Sequence, residues 1–160
     1  MEGVTPAQTF RIPEEAYSLP PPVDMAIPVA ALQYAEWRVL VCGSRDWDNY
    51  ELLVENLDSA LDRYGPLHAK PVLMNGGARG ADSHATAYAR ARGIECRVFH
   101  PDWKTYGRRA GLLRNEDMIS QGPRLVVAFY KHRERSRGAA HTVKLAREAG
   151  IPYLEIFDEQ

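Results

Sequence analysis

At 160 residues the chain has room for one domain with a real core, and its 45% apolar and 26% charged composition is that of an ordinary folded protein. A net charge of −1 provides no global basic field, so nucleic acid is not expected as a partner. No apolar run approaches the roughly 18 residues needed to span a membrane, and no charged start precedes an apolar core at the N-terminus; no membrane partner and a cytoplasmic location are expected.

Residues 1–36 stand apart in composition. They hold six of the eleven prolines, including Pro20-Pro21-Pro22, which disfavour helix and central strand and favour extended chain. Phe10, Ile12, Tyr17, Met25 and Ile27 make the segment more apolar than a simple tail. An extended arm packed on the domain or on a neighbouring subunit is therefore preferred over a disordered tail, with a short helical turn open to residues 30–36.

Beyond the arm, strands and helices alternate. Residues 39–42 are continuously apolar, as in a strand covered on both faces. After the loop 43–47, Asp48 with Glu51 three residues on reads as a capping box. Leu52, Leu53, Leu57, Ala60, Leu61 and Tyr64 then recur at helical spacing. A second strand, 70–75, leads to a glycine-rich turn and a helix over 82–92. A third strand at 95–100 precedes a loop at 101–106 and a helix over 108–121. A fourth strand at 125–130, a charged loop at 131–137, a helix over 138–148 and a fifth strand at 152–157 complete the pattern. Such alternation predicts an α/β fold: a Rossmann-like, doubly wound parallel sheet of about five strands, order 3-2-1-4-5, with helices on both faces. Ligands of such sheets bind outside the carboxyl ends of the strands, where the order reverses. Cys42 and Cys96 would lie about two strand spacings apart, roughly 9.6 Å, too far for a disulfide. With no C-x-x-C and no ligand spacing among the five histidines, neither a metal nor another cofactor is expected.

The turn Asn75-Gly76-Gly77-Ala78-Arg79-Gly80-Ala81-Asp82 is the most distinctive stretch. Glycines between a strand and a helix permit φ > 0 and close ligand approach, and a helix N-terminus receives anions. Taken alone, the stretch fits a phosphate cradle or a tight turn equally well.

Several ordered motifs together resemble a known family. They are Gly43-Ser44-Arg45-Asp46-Trp47, Gly76-Gly77-Ala78-Arg79-Gly80-Ala81-Asp82, and the series Asp102-Trp103, Tyr106-Gly107, Ala110-Gly111, Arg114-Asn115 and Met118. Val127-Ala128-Phe129, Gly138 with Thr142, and Ala149-Gly150-Ile151 continue the match. The chain is similar to the YspA-like family of the SLOG superfamily over residues 38–157. The resemblance implies a Rossmann-like domain at 37–160 that binds a nucleotide or nucleotide-derived ligand, preceded by the Pro-rich arm at 1–36. Superfamily relatives include the cytokinin-activating phosphoribohydrolases, once called lysine decarboxylases, and the DNA-processing protein A domain. Their common dimerisation leads us to expect a homo-oligomer. The phosphoribohydrolases carry P-G-G-x-G-T-x-x-E, whose Glu assists N-glycosidic cleavage. Here Gly138-Ala139-Ala140-His141-Thr142-Val143-Lys144-Leu145 retains one glycine and lacks that carboxylate.

The expected ligand-binding residues are Gly43, Ser44, Arg45, Gly76, Gly77, Arg79, Gly80, Asp82, Tyr106, Arg114, Asn115, Gly138 and Thr142. Arg45 either grips a phosphate or carboxylate or pairs with Asp46 or Asp48. Asp82 is stabilised by its helix dipole in any case, and is a candidate for ribose binding or catalysis. Trp47, Trp103 and Tyr106 can stack on a base or plug their loops; plugging is preferred for Trp103 and stacking for Tyr106. Gly111 suggests close helix–sheet packing. The basic residues Lys131, Arg133, Arg135 and Arg137 form a solvated loop by default, or gate a phosphate or touch nucleic acid. The leading expectation is a ligand-binding or sensor module; the alternative is a hydrolase or transferase at the N-glycosidic bond of a nucleoside monophosphate.

Overall fold

The computed structural model describes residues 8–11, 35–132 and 134–159. The order is β1 (Gln8–Arg11), β2 (Glu36–Gly43), α1 (Tyr50–Tyr64), β3 (Lys70–Asn75), α2 (Ala81–Arg92), β4 (Glu95–Val98) and α3 (Trp103–Tyr106). A 3-10 turn (Gly107–Arg109), α4 (Ala110–Ser120), β5 (Leu125–Lys131), α5 (Arg137–Glu148) and β6 (Tyr153–Asp158) follow. The sheet order is β1-β6-β5-β2-β3-β4. Its five C-terminal strands are parallel and have the expected 3-2-1-4-5 arrangement. The sixth strand is a departure: four residues of the arm pair antiparallel with β6, Gln8 opposite Ile156 and Arg11 opposite Tyr153. The polyproline stretch and most of the suggested turn at 30–36 lie outside the described residues, and Glu36 itself begins β2.

Period-two alternation distributes the central strands' side chains into two cores. Val39 and Val41 of β2, with Leu125, Val127 and Phe129 of β5, pack on Leu53 and Leu57 of α1 and Ala85 and Tyr88 of α2. Leu40 and Cys42, with Val126, Ala128 and Tyr130, face Met118 of α4 and Ala139, Val143 and Ala146 of α5. Burial on both faces explains why these strands are continuously apolar.

The ends of elements differ locally from expectation. Asn49, not Asp48, caps α1: its side chain accepts from Leu52 N at 3.1 Å, and its amide donates to Asp158 Oδ2 at 3.0 Å. Asp48 pairs instead with Lys131 Nζ at 3.0 Å. The expected loop at 101–106 contains α3, whose cap Asp102 accepts from Thr105 N at 3.1 Å. Cys42 and Cys96 are free thiols. No helix among the described residues is long and apolar enough to cross a membrane.

Candidate ligand crevice

Parallel strands deliver all their carboxyl ends to one edge. At the switch between β2 and β5 the chain leaves in opposite directions, and a cavity of about 1040 Å³ opens there. One wall begins at Gly43-Ser44. Ser44 N donates to Phe129 O at 2.8 Å, Ser44 Oγ accepts from Lys131 N at 3.1 Å, and Ser44 O accepts from Ala81 N at 3.1 Å. Glycine is needed at Gly43, where a Cβ would lie 2.7 Å from Ala81 Cβ and collide with Phe129 O. It is needed again at Gly80, which has φ 75° and where a Cβ would come within 2.5 Å of Arg45 O and collide with Ser44 O. These two contacts clasp the turn after β2 to the turn after β3.

The β3–α2 turn is organised by its own side chains. Asp82 Oδ2 accepts from Gly76 N and Ala78 N, each at 3.1 Å, and Asn75 Oδ1 accepts from Gly77 N at 2.9 Å. Three of the turn's N–H groups are thus engaged internally. Asp82 is 7% exposed and borders the cavity. Burial lifts its carboxyl from 3.8 to about 6, overcoming the opposite pull of the Ala78 N–H, the Arg114 guanidinium, the Gly76 N–H and Arg45.

Across the crevice, Arg114 donates from Nη1 to Gly76 O and from Nε to Asn115 Oδ1 at 2.9 Å. Asn115 is buried, with its amide 3.2 Å from His141 Nδ1 and 3.4 Å from Gly138 O. Arg45 also borders the cavity, is exposed, and makes no side-chain hydrogen bond or ion pair among the described residues. The expected alternative for Arg45, pairing with Asp46 or Asp48, is not present.

The third wall is the β5–α5 loop and the first turn of α5. Arg135 grips the buried Glu155 carboxylate bidentately, from Nε at 3.1 Å and Nη2 at 2.7 Å. Ser136 occupies the N-cap position of α5 but makes no side-chain capping bond, and its buried Oγ has no hydrogen-bond partner among the described residues. Thr142 also lines the cavity, though its hydroxyl donates to Gly138 O at 3.1 Å within the helix. Cys42 reaches the same space; burial, reinforced by the charges of Asp82 and Glu155, pushes its thiol pKa up.

Gly43, Ser44, Arg45, Gly76, Asp82, Arg114, Asn115, Gly138 and Thr142 therefore line one cavity. Gly77, Arg79, Gly80 and Tyr106 do not. Gly77 and Gly80 shape the turn, Arg79 points to solvent, and Tyr106 is 53% exposed away from the crevice. Trp47 is a core plug with its ring centroid 5.2 Å from that of Phe129, whereas Trp103, expected to plug, is 53% exposed. Sequence reasoning did not include Ser136 in the site. A serine just ahead of a helical pattern is the ordinary N-cap signal and would have placed it at the crevice. Arg135 was read only as loop charge; Glu155, alternating in an otherwise apolar strand, was its signal. Among the described residues no cluster of three or more His, Cys, Asp or Glu side chains is arranged to hold a metal ion.

Residues 37–106 match the model of the YspA, cpYpsA-related SLOG family. The Gene 61 protein of Mycobacterium phage D29 is 36% identical over 129 residues, covering 76% of this chain and 98% of that relative. The chain belongs to the YspA, cpYpsA-related SLOG family. SLOG membership suggests a nucleotide-related ligand-binding module. The family match takes in the turns at 43–47 and 76–82 but ends before Arg114 and α5.

Proposed function

We propose that the crevice binds a phosphorylated nucleotide or nucleotide derivative, and that the chain works as a ligand-binding or sensor module. The observation that carries this reading is the third wall: the first turn of α5 opens into the cavity beside Ser136, whose hydroxyl is buried without a partner among the described residues. A helix N-terminus attracts anions through its free N–H groups and its dipole, and a buried unpaired hydroxyl costs about 1–3 kcal/mol until it meets an acceptor. Arg45 supplies an uncommitted guanidinium for a second phosphate oxygen or a carboxylate. Asp82 Oδ1 is the polar group suited to a sugar hydroxyl, with the Asn115 amide fixing Arg114, His141 and Gly138 around it. The glycine turn after β3 supports this arrangement from behind, since Asp82 and Asn75 already take its N–H groups at Gly76, Gly77 and Ala78.

A panel of nucleotides and nucleotide sugars in a thermal-shift assay tests the reading. A ligand at 100 times its Kd should stabilise the fold by about 2.7 kcal/mol. Arg45→Ala should abolish that gain while leaving the melting of the free protein unchanged. A panel without any shift counts against the proposal.

A second reading, cleavage or transfer at the N-glycosidic bond of a nucleoside monophosphate, has one observation in its favour. A carboxyl lifted to about 6 by burial can exchange a proton near neutrality. The missing carboxylate after Thr142 weakens it. Free base released by the wild type and not by Asp82→Asn would support it; equal release by both removes Asp82 from the chemistry.

A further inference from the structure

Five large apolar side chains are exposed among the described residues, and four of them, Val98, Trp103, Tyr106 and Leu112, fall between the end of β4 and the first turn of α4. Single exposed apolar residues are ordinary; two aromatics and a leucine grouped together are not. Trp103 and Tyr106 are each 53% exposed and Leu112 49%. The Trp103 ring covers Gly111, where a Cβ would lie 3.5 Å from Trp103 Cη2, so the aromatic is held against the flank of α4. α4 turns Ala110, Asn115 and Met118 inward. The 3-10 turn that leads into α4 and the outer side of α4 itself carry Arg108, then Leu112 and Glu116, all exposed and spaced four apart. Arg108 and Glu116 are about 12 Å apart along the axis and cannot reach each other within one helix. Neither has an ion-pair or hydrogen-bonding side-chain partner among the described residues.

We propose that this stripe is the centre of a two-fold homodimer in which α4 packs antiparallel on α4 of a second copy. The stripe is self-complementary in charge about Leu112. With the two-fold axis there, Arg108 of each chain faces Glu116 of the other, so the contact closes with two identical ion pairs flanking the paired leucines. Trp103 and Tyr106 then cover the leucine contact, as aromatics commonly do at the centre of an interface. The proposal does not depend on the ligand reading. It places one helix between the crevice, through Arg114 and Asn115, and the second subunit.

Sedimentation velocity at about 100 μM, where even a micromolar interface is populated, is the test. The wild type should sediment as a dimer. Arg108→Glu alone and Glu116→Arg alone place like charges across the contact and should each weaken association roughly tenfold or more. An equimolar mixture of the two variants should recover the dimer, because each then meets its opposite charge in trans. Circular dichroism of both variants should match the wild type, since neither side chain is buried. A monomeric wild type overturns the proposal and assigns the patch to a different protein. A dimer indifferent to both substitutions, or a mixture no more associated than its parts, overturns it as well.

Discussion

Asp82 is at once a structural and a chemical residue. Its Oδ2 holds the β3–α2 turn through two N–H bonds, yet burial raises its carboxyl to about 6. A carboxyl pKa raised in the fold favours the protonated form. That contribution to stability is fully present below the unfolded value of 3.8 and is lost as pH rises through about 6. The shift corresponds to about 3 kcal/mol when the group is fully ionised. Asp82→Asn, which cannot ionise, should therefore be more stable than the wild type at pH 8 by up to that amount. The gain should shrink towards zero near pH 4. Urea titrations of both proteins across this range check the sign; a gain independent of pH would show that burial of the charge is not its source. The glycines divide in the same way between structure and site. Gly80→Ala forces a side chain against Ser44 O and Arg45 O at positive φ, and should cost about 2–3 kcal/mol. At Gly138 a Cβ meets nothing within 4 Å, so Gly138→Ala should leave stability unchanged or raise it by up to about 1 kcal/mol. Any nucleotide affinity should fall, because the methyl group narrows the mouth of α5. Parallel melting and binding measurements separate the two effects.

At the scale of elements, the β5–α5 connection depends on an ion pair rather than on a turn motif. Glu155 is 2% exposed, and Arg135 satisfies both of its oxygens while lying 5.1 Å over the Phe157 ring. Arg135→Ala leaves that carboxylate buried and alone, for an expected loss of about 2–3 kcal/mol in urea denaturation. Arg135→Lys keeps the charge without the two-pronged fork and should fall between the two. An alanine variant as stable as the wild type would mean that the pair contributes nothing net. Element by element, legibility followed burial. β2, β3 and β5 were readable because they are covered on both faces, which makes hydrophobic runs continuous. α3 was not: four residues give no helical period, although in the structure Thr105 N bonds the Asp102 side chain and Tyr106 N bonds Asp102 O at 3.0 Å. The third strand was expected to reach residue 100, but regular pairing ends at Val98; beyond it Phe99 N still bonds Asn75 O at 2.9 Å.

For the whole molecule, a cavity lies at the β2–β5 switch that the topological rule points to, and nine of the thirteen expected site residues line it. Tyr106 did not follow, for a geometric reason. It succeeds β4, the outermost strand on that side, which is two strands from the switch point. Chain order identifies the loops at the carboxyl edge but not their distance from the crevice. The edge strand β1 was unreadable for another reason: four residues whose only partner, β6, lies at the opposite end of the sequence carry no local signal. A chain lacking residues 1–11 should keep its secondary structure by circular dichroism, because among the described residues both cores draw on residues 37–157. It should melt several degrees lower and associate more readily, since β6 then presents an unpaired edge. Wholesale unfolding of the shortened chain would mean that β1 is required for the sheet itself.

The clasp between Gly80 and the Ser44-Arg45 carbonyls, closed by the bond from Ala81 N to Ser44 O, has a mechanical consequence. The turns after β2 and β3 cannot separate without breaking it, so they form a single stationary jaw. The opposing jaw, residues 134–138, is mostly exposed, and is held by the Arg135–Glu155 pair and by the bond from Ala140 N to Ser136 O at 2.8 Å. A ligand larger or smaller than the resting crevice must be fitted by movement on that side alone. Amide exchange should therefore slow on ligand binding at 134–138 and change little at Ser44 and Ala81, making the crevice a vice with one fixed face.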